Sequence, residues 1–144
     1  MICHEVRKKP VTFLDTSFLV DLLREARRGT AGPATRLMDE LEDEDLWIGV
    51  HVACELHVGI ELSGRPNRER EDVLALLSSL QVAYPDHRFP LVYGRFLADF
   101  SRRGETMPTM DLLIATAAAV EDAPLVARDT SDFARVPGLR LIVY

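Results

Sequence analysis

Five short apolar runs, VTFLD (11–15), LWIGV (46–50), QVAYP (81–85), PLVARD (124–129) and LRLIVY (139–144), are separated by longer stretches with helical spacing. A strand with one wet face alternates apolar and polar residues, whereas these runs are apolar at successive positions. Such runs, each followed by helix, belong to a parallel sheet covered on both faces. The fold class is therefore α/β. Helices are expected over about 17–28, from Gly32-Pro33 to about 41, and over 51–62, 66–80, 87–103 and 110–121. Thr109 is the expected cap of the last of these, and a helical turn follows at 130–135.

Length and composition narrow the class. A chain of 144 residues reads as one domain, large enough to bury roughly two-thirds of its unfolded surface. Residues 1–10, MICHEVRKKP, read as an N-terminal extension to a domain over 11–144. No apolar run approaches the ~20 residues that a bilayer span needs, and no secretory signal is expected at the start. Cys3 and Cys54 do not make a disulfide framework, so a reducing cytoplasm is the expected setting. The formal charge of −6 argues against a protein that coats nucleic acid. It leaves RNA open as a substrate, and of the 17 basic residues all but Lys8 and Lys9 are Arg, the side chain suited to bidentate phosphate contacts.

In a parallel α/β sheet the carboxyl ends of the strands and the amino ends of the following helices share one edge, and ligands bind there. Asp15 ends the first run and Asp129 the fourth. Asp111 falls in the first turn of the helix after Thr109, where backbone N–H groups favour an anion. Glu55 lies about one turn into the helix after the second run, among the apolar neighbours of VACEL, and a partly buried carboxylate there needs a partner. Four acids from four segments thus meet on one edge. Packed like charges must be neutralised by protons or by a cation. With oxygen donors throughout, a hard cation such as Mg²⁺ or Mn²⁺ suits them, and such a site can activate water and stabilise the departing oxygen of a phosphodiester. Taken singly, Asp15 and Asp111 are ordinary first-turn or capping acids, and Asp129 with Asp132 is ordinary turn chemistry. Their conjunction makes the site.

His51, Cys54, Glu55 and His57 share one helix and raise a zinc reading. His57 stands about 200° around the axis from Glu55, so the set cannot meet one ion. Arg24, Arg27 and Arg28 sit at the far end of the first helix and are not assigned to the site. Arg128 adjoins Asp129 and is the candidate phosphate contact.

The pieces LDTSFLVDLLR, ACELHVGIEL, MDLLIATAAAV and LVARDTSDFARVPGLRLI, in this order, resemble the PIN-domain ribonucleases, and most closely the toxins of the VapBC type. The resemblance runs from Val11 to Tyr144. It implies a three-layer α/β/α fold with a five-stranded parallel sheet. Asp15 and Asp111 would be the main metal ligands, with Glu55 and Asp129 completing the shell or orienting the attacking water. Ser17 would fix Asp15 or a water, and Asp132, before Phe133, would stand behind the ligands. Two positions depart from the family pattern: Ala127 replaces a frequent Thr, and Gly49 replaces a frequent Ser or Thr. The resemblance further implies a metal-dependent endoribonuclease, inhibited by a small antitoxin and forming homodimers or toxin–antitoxin hetero-oligomers, with no membrane association.

Other functions fare less well. A dehalogenase-like phosphatase needs a second acid two residues after its nucleophile, where this chain has Ser17. A signalling receiver needs paired acids after the first strand and a phosphoacceptor after a middle one, but LWIGV leads into His51. A PIN fold kept only for binding, or a PIN nuclease outside the toxins, is the remaining alternative, and the intact acidic set argues against the first of these.

Overall fold

The computed structural model describes residues 9–144. The extension expected over 1–10 therefore lies outside the described residues, apart from Lys9 and Pro10. The chain runs β1 (Val11–Leu14), α1 (Thr16–Arg28), α2 (Pro33–Glu40), β2 (Asp45–Gly49), α3 (Val50–Glu61), α4 (Pro66–Leu77), β3 (Gln81–Ala83), α5 (Phe89–Arg102), α6 (Thr109–Val120), β4 (Leu125–Ala127), a 3₁₀ turn (Phe133–Arg135) and β5 (Leu141–Val143).

All five strands are parallel, in the order β3-β2-β1-β4-β5. The central strands are the apolar ones. Phe13, Leu14, Ile48, Leu125, Val126 and Ala127 are all but inaccessible, whereas Gln81 and Val143 on the short edge strands are exposed. Short edges limit the unpaired backbone on offer to other chains. The sheet grows in one direction from β1 to β3 and in the other from β4 to β5. Right-handed crossovers then place α1–α4 on one face and α5 and α6 on the other. Helix packing largely follows the same division, with α1 against α2 and α3, α3 against α4, and α5 against α6, while α3 also meets α6.

Local chemistry explains where elements start and stop. Gly29 ends α1 in the left-handed region (φ 68°), a conformation that disfavours side chains with a Cβ. The start of α2 is capped from another helix. The Glu25 carboxylate of α1 accepts N–H groups from Gly32 (2.7 Å), Thr35 (2.9 Å) and Ala34 (3.1 Å). A Cβ on Gly32 would lie 2.6 Å from the carboxyl carbon of Glu25, so a larger residue there would push the Glu25 carboxylate aside. Helix α6 is apolar nearly all round and correspondingly buried from Leu112 to Ala118 except at Leu113. Its one buried hydroxyl, on Thr116, donates back to the Leu112 carbonyl at 2.7 Å.

Elements differ from expectation mainly at their ends. Thr109 is the first helical residue of α6 and not its cap; Pro108 holds that position, because its extended backbone and fixed φ suit a helix entry. The strand expected through Asp15 stops at Leu14, and the one expected through Asp129 stops at Ala127. Both acids therefore lie just beyond the strands, on the open edge.

Candidate active site

The sheet changes direction between β1 and β4, and the crevice outside the carboxyl ends of these two strands is where ligands bind in open α/β sheets. Asp15 and Asp129 flank this crevice. The N–H of Asp15 donates to the Val126 carbonyl at 2.9 Å, which anchors its backbone to β4 as well as to β1. Asp15 occupies the N-cap position of α1 with extended backbone (φ −80°, ψ 159°), yet its carboxylate makes no capping bond. It instead accepts the Ser17 hydroxyl at Oδ2, 2.8 Å away. The side chain is thus held chiefly by the Ser17 hydroxyl.

Asp15 is the only buried carboxylate among the described residues, at 8% exposure. Burial holds its pKa above the usual carboxylate range, and the charge of Glu55 adds to this; the Ser17 hydroxyl and the N–H groups of Thr16 and Ser17 pull the other way. Glu55 reaches it from α3. Its Oε1 accepts the Thr16 hydroxyl at 2.7 Å, so neighbouring residues of one turn hold two of the acids.

Asp111 stands in the first turn of α6. Its carboxyl is pushed up to about 6, first by partial burial and then by the charges of Asp15, Asp132, Glu55 and Asp129. Four carboxylates from other segments thus act on Asp111. Asp129 is exposed, and its Oδ1 accepts the Ser131 N–H at 3.0 Å. That bond, with the Ser131 hydroxyl and the charge of Arg128, lowers its pKa. Asp132 is ion-paired to Arg135 at 2.7 Å.

These partners hold the acids as individuals. Among the described residues, no three His, Cys, Asp or Glu side chains form a ready-made ligand set for one metal. His51 is no exception: its ring stacks on Phe89 at 5.7 Å, its Nδ1 is buried without a partner, and burial lowers its pKa. The zinc reading finds no support in this arrangement. Gly49 caps α3, and a Cβ there would sit 3.0 Å from the Ala117 Cβ. Close packing of β2 against α6 thus explains why this chain lacks the hydroxyl residue common at that position.

The remaining site residue expected from sequence, Arg128, is exposed, and its Nη1 lies 2.9 and 3.0 Å from the two carboxylate oxygens of Asp21. Asp21 also accepts the Tyr144 hydroxyl at 2.7 Å. Sequence reasoning passed over three residues: Thr16, Asp21 and Tyr144. The two hydroxyls after Asp15 were a signal for Thr16. Asp21 lies four residues after Ser17 and so on the same face of α1. Nothing local marked Tyr144, whose role comes from where β5 ends.

Comparison with known proteins agrees with this architecture. The PIN domain family model matches residues 12–139. Ribonuclease VapC2 of Rickettsia felis is 29% identical over 90 residues, which is 62% of this chain and 67% of that protein. Two solved structures share the fold: VapBC2 from Rickettsia felis bound to a DNA fragment from its promoter (TM-score 0.85, 23% identity, 93% of this chain and 98% of that one), and DNA-bound VapBC from Salmonella typhimurium (TM-score 0.84, 22% identity, 93% and 98%). With its acids at the sheet's switch point and a family match over nearly all its length, the chain belongs to the PIN domain family.

Proposed function

We propose that this chain is the toxin of a type II toxin–antitoxin pair, a divalent-metal-dependent endoribonuclease that hydrolyses RNA phosphodiester bonds. The reading is supported by the placement of Asp15 and Asp129 just beyond β1 and β4, of Asp111 in the first turn of α6, and of Glu55 on α3 in a hydrogen bond to Thr16 beside Asp15. PIN ribonucleases are in general dependent on a divalent metal, and a family relative carries the name ribonuclease. For this chain we assign Mg²⁺ or Mn²⁺. The donors are all carboxylate oxygens, as a hard cation prefers, and Mg²⁺ is usually held by one or two carboxylates with waters and substrate phosphates, not by an all-protein cage. Asp15 and Asp111 suit that role, with Asp129 at the open side.

A bound divalent cation supplies Lewis-acid activation of water and neutralises charge on the departing oxygen. The chain's own part is to arrange the groups around it. Ser17 fixes Asp15 through Oδ2 and leaves Oδ1 for ligation. Thr16 fixes Glu55 through Oε1, leaving Oε2 to orient the attacking water and accept its proton. Arg128 contacts an RNA phosphate at the rim, and Asp132 with Arg135 supports the loop after β4.

The partner proposed is a VapB-like antitoxin, since solved proteins of similar fold include VapBC complexes bound to DNA. A chain of charge −6 is ill suited to gripping DNA, so promoter binding falls to the partner. Homodimers or toxin–antitoxin hetero-oligomers are the proposed assemblies, and the cytoplasm the proposed setting. Among the described residues no helix is long and apolar enough to cross a membrane.

The test is cleavage of a total-tRNA and structured-RNA pool by the purified chain freed of any partner, with Mn²⁺, with Mg²⁺ and with EDTA. Cleavage that needs the metal and disappears in Asp15→Ala supports the reading. Cleavage that persists in EDTA or in Asp15→Ala sinks it.

A further inference from the structure

We infer that Asp21 and Tyr144 are positioning residues that hold Arg128 open at the rim of the acidic site as a contact for an RNA phosphate. The inference rests on the nuclease reading and adds to it two residues that the acidic set does not include.

An arginine beside an acidic cluster has an obvious alternative, which is to fold onto the cluster. There it would neutralise the carboxylates and compete with a cation for them. Arg128 immediately precedes Asp129 and is close enough to lower its pKa, yet its hydrogen bonds go elsewhere. Both oxygens of Asp21 take Nη1 alone. Nε and Nη2 remain for a phosphate, which the planar fork suits. Exposure supports the same division: the Asp21 side chain is 15% exposed and that of Arg128 is 55%. The anchor is sheltered and the guanidinium faces solvent.

Asp21 is itself fixed from behind. The Tyr144 hydroxyl donates to its Oδ2, and the Tyr144 ring stands edge-on to Phe18 with centroids 5.1 Å apart. Phe18 is fully buried, so the hydroxyl is located by the core and not by a flexible loop. Two side-chain hydrogen-bonded steps therefore lead from Tyr144 through Asp21 to Arg128, which is bonded in sequence to Asp129. They tie the loop after β4 to α1 and to the residue that follows β5. Each phosphate approaching a chain of charge −6 meets net repulsion, and a cation at the rim lessens it.

The test uses the full chain, Mn²⁺ and a fluorescein-labelled tRNA pool, with Arg128→Gln, Tyr144→Phe, Asp21→Asn and the double variant Tyr144→Phe/Arg128→Gln. Arg128→Gln is expected to weaken RNA binding on the order of tenfold. It should also flatten the dependence of log Kd on log salt by about 0.7 to 0.9. Tyr144→Phe and Asp21→Asn should raise KM several-fold in the same direction, with Mn²⁺ affinity unchanged. In the Arg128→Gln background Tyr144→Phe should add nothing, because it acts through the arginine. A full additional loss there overturns the inference, as does an Arg128→Gln chain that binds RNA like wild type. Side-chain ¹⁵N relaxation of Arg128 gives a reading that needs no RNA: motion unchanged by Tyr144→Phe overturns the positioning role. If cleavage ignores Asp15→Ala, the nuclease reading fails, while dependence of RNA binding on Arg128, Asp21 and Tyr144 would still support the inference.

Discussion

The Thr16 hydroxyl donates to Glu55 Oε1 at 2.7 Å and so ties the first residue of α1 to the middle of α3 across 39 positions of sequence. The bond orients a half-buried carboxylate on an edge where like charges would otherwise turn it outward. Thr16→Val keeps the shape and removes the donor. It is expected to lower kcat/KM for RNA on the order of tenfold, the scale of a lost hydrogen bond to a charged group. Thr16→Ser should restore most of the loss. Steady-state cleavage by the three chains with Mn²⁺ decides this, and a Thr16→Val chain as active as wild type would show that Glu55 needs no such hold.

Asp111 makes the site sensitive to pH. Its carboxyl titrates at about 6 in the folded chain against 3.8 ordinarily. Its contribution to stability is therefore whole below about 3.8 and is lost as pH rises through about 6, so the metal-free chain weakens over that window. A cation reverses the balance by stabilising the ionised form. Below pH 6 it must displace a proton, and apparent Mn²⁺ affinity should fall up to about tenfold per pH unit there, with a plateau above about 7. Calorimetric titrations of Mn²⁺ across this range should show the rise, along with a Tm increase on adding Mn²⁺ that is larger at neutral pH than at pH 5. Asp111→Asn should weaken Mn²⁺ binding and reduce the pH-dependent part to the share of Asp15, whose pKa is also raised. An affinity flat from pH 5 to 7.5 would rule the assignment out.

Glu25 has no place in the chemistry and a clear one in the fold. Burial pushes its pKa up, but the N–H groups of Thr35, Ala34 and Gly32 outweigh this and bring it down to about 2. Its stabilising contribution is full above about 4.5 and is lost as pH falls toward 2. Glu25→Ala should lower Tm by roughly 2–5 °C at neutral pH, as the loss of a helix cap does in a domain of this size. The gap between the variant and wild type should close in acid. Thermal melts at pH 7 and pH 3 check both halves.

Gly49→Ala tests the packing of β2 on α6. The added Cβ would meet that of Ala117 at 3.0 Å, and a Cβ fixed to a buried helix cannot rotate away. The expected cost is about 1 kcal/mol or somewhat more, read from the urea midpoint. Ala117→Gly in the same chain should recover part of it, less the penalty for glycine in a helix. A Gly49→Ala chain as stable as wild type would mean that the two elements pack less tightly than the distance indicates.

Much of this architecture was legible from residues alone because period and position are local signals. VTFL and PLVA are apolar at all positions but Thr12 and lie at the sheet's centre, and Gly29 and Pro66 mark helix limits where the backbone demands them. The places of Asp15 and Asp111 followed from the same logic. What escaped depends on contacts between distant segments. Glu25 capping α2 looks like a surface acid on α1 until the turn brings Gly32 back to it. Thr109 looked like a cap because hydroxyl residues often are, but Pro108 already supplied the entry geometry. Tyr144 carries no motif, and only the pairing of β5 beside β4 sets its hydroxyl against Asp21.

The pairing of β1 with β4 has a temporal side. During synthesis Asp15 is made early, but its N–H waits for the Val126 carbonyl, and that of Phe13 for Pro124. Until those residues emerge, β1 lacks one neighbour and the crevice one wall, so a growing chain carries Asp15 and Glu55 without the place that unites them. A product that ends before β4 is thus expected to lack the crevice altogether, whatever acids it already carries.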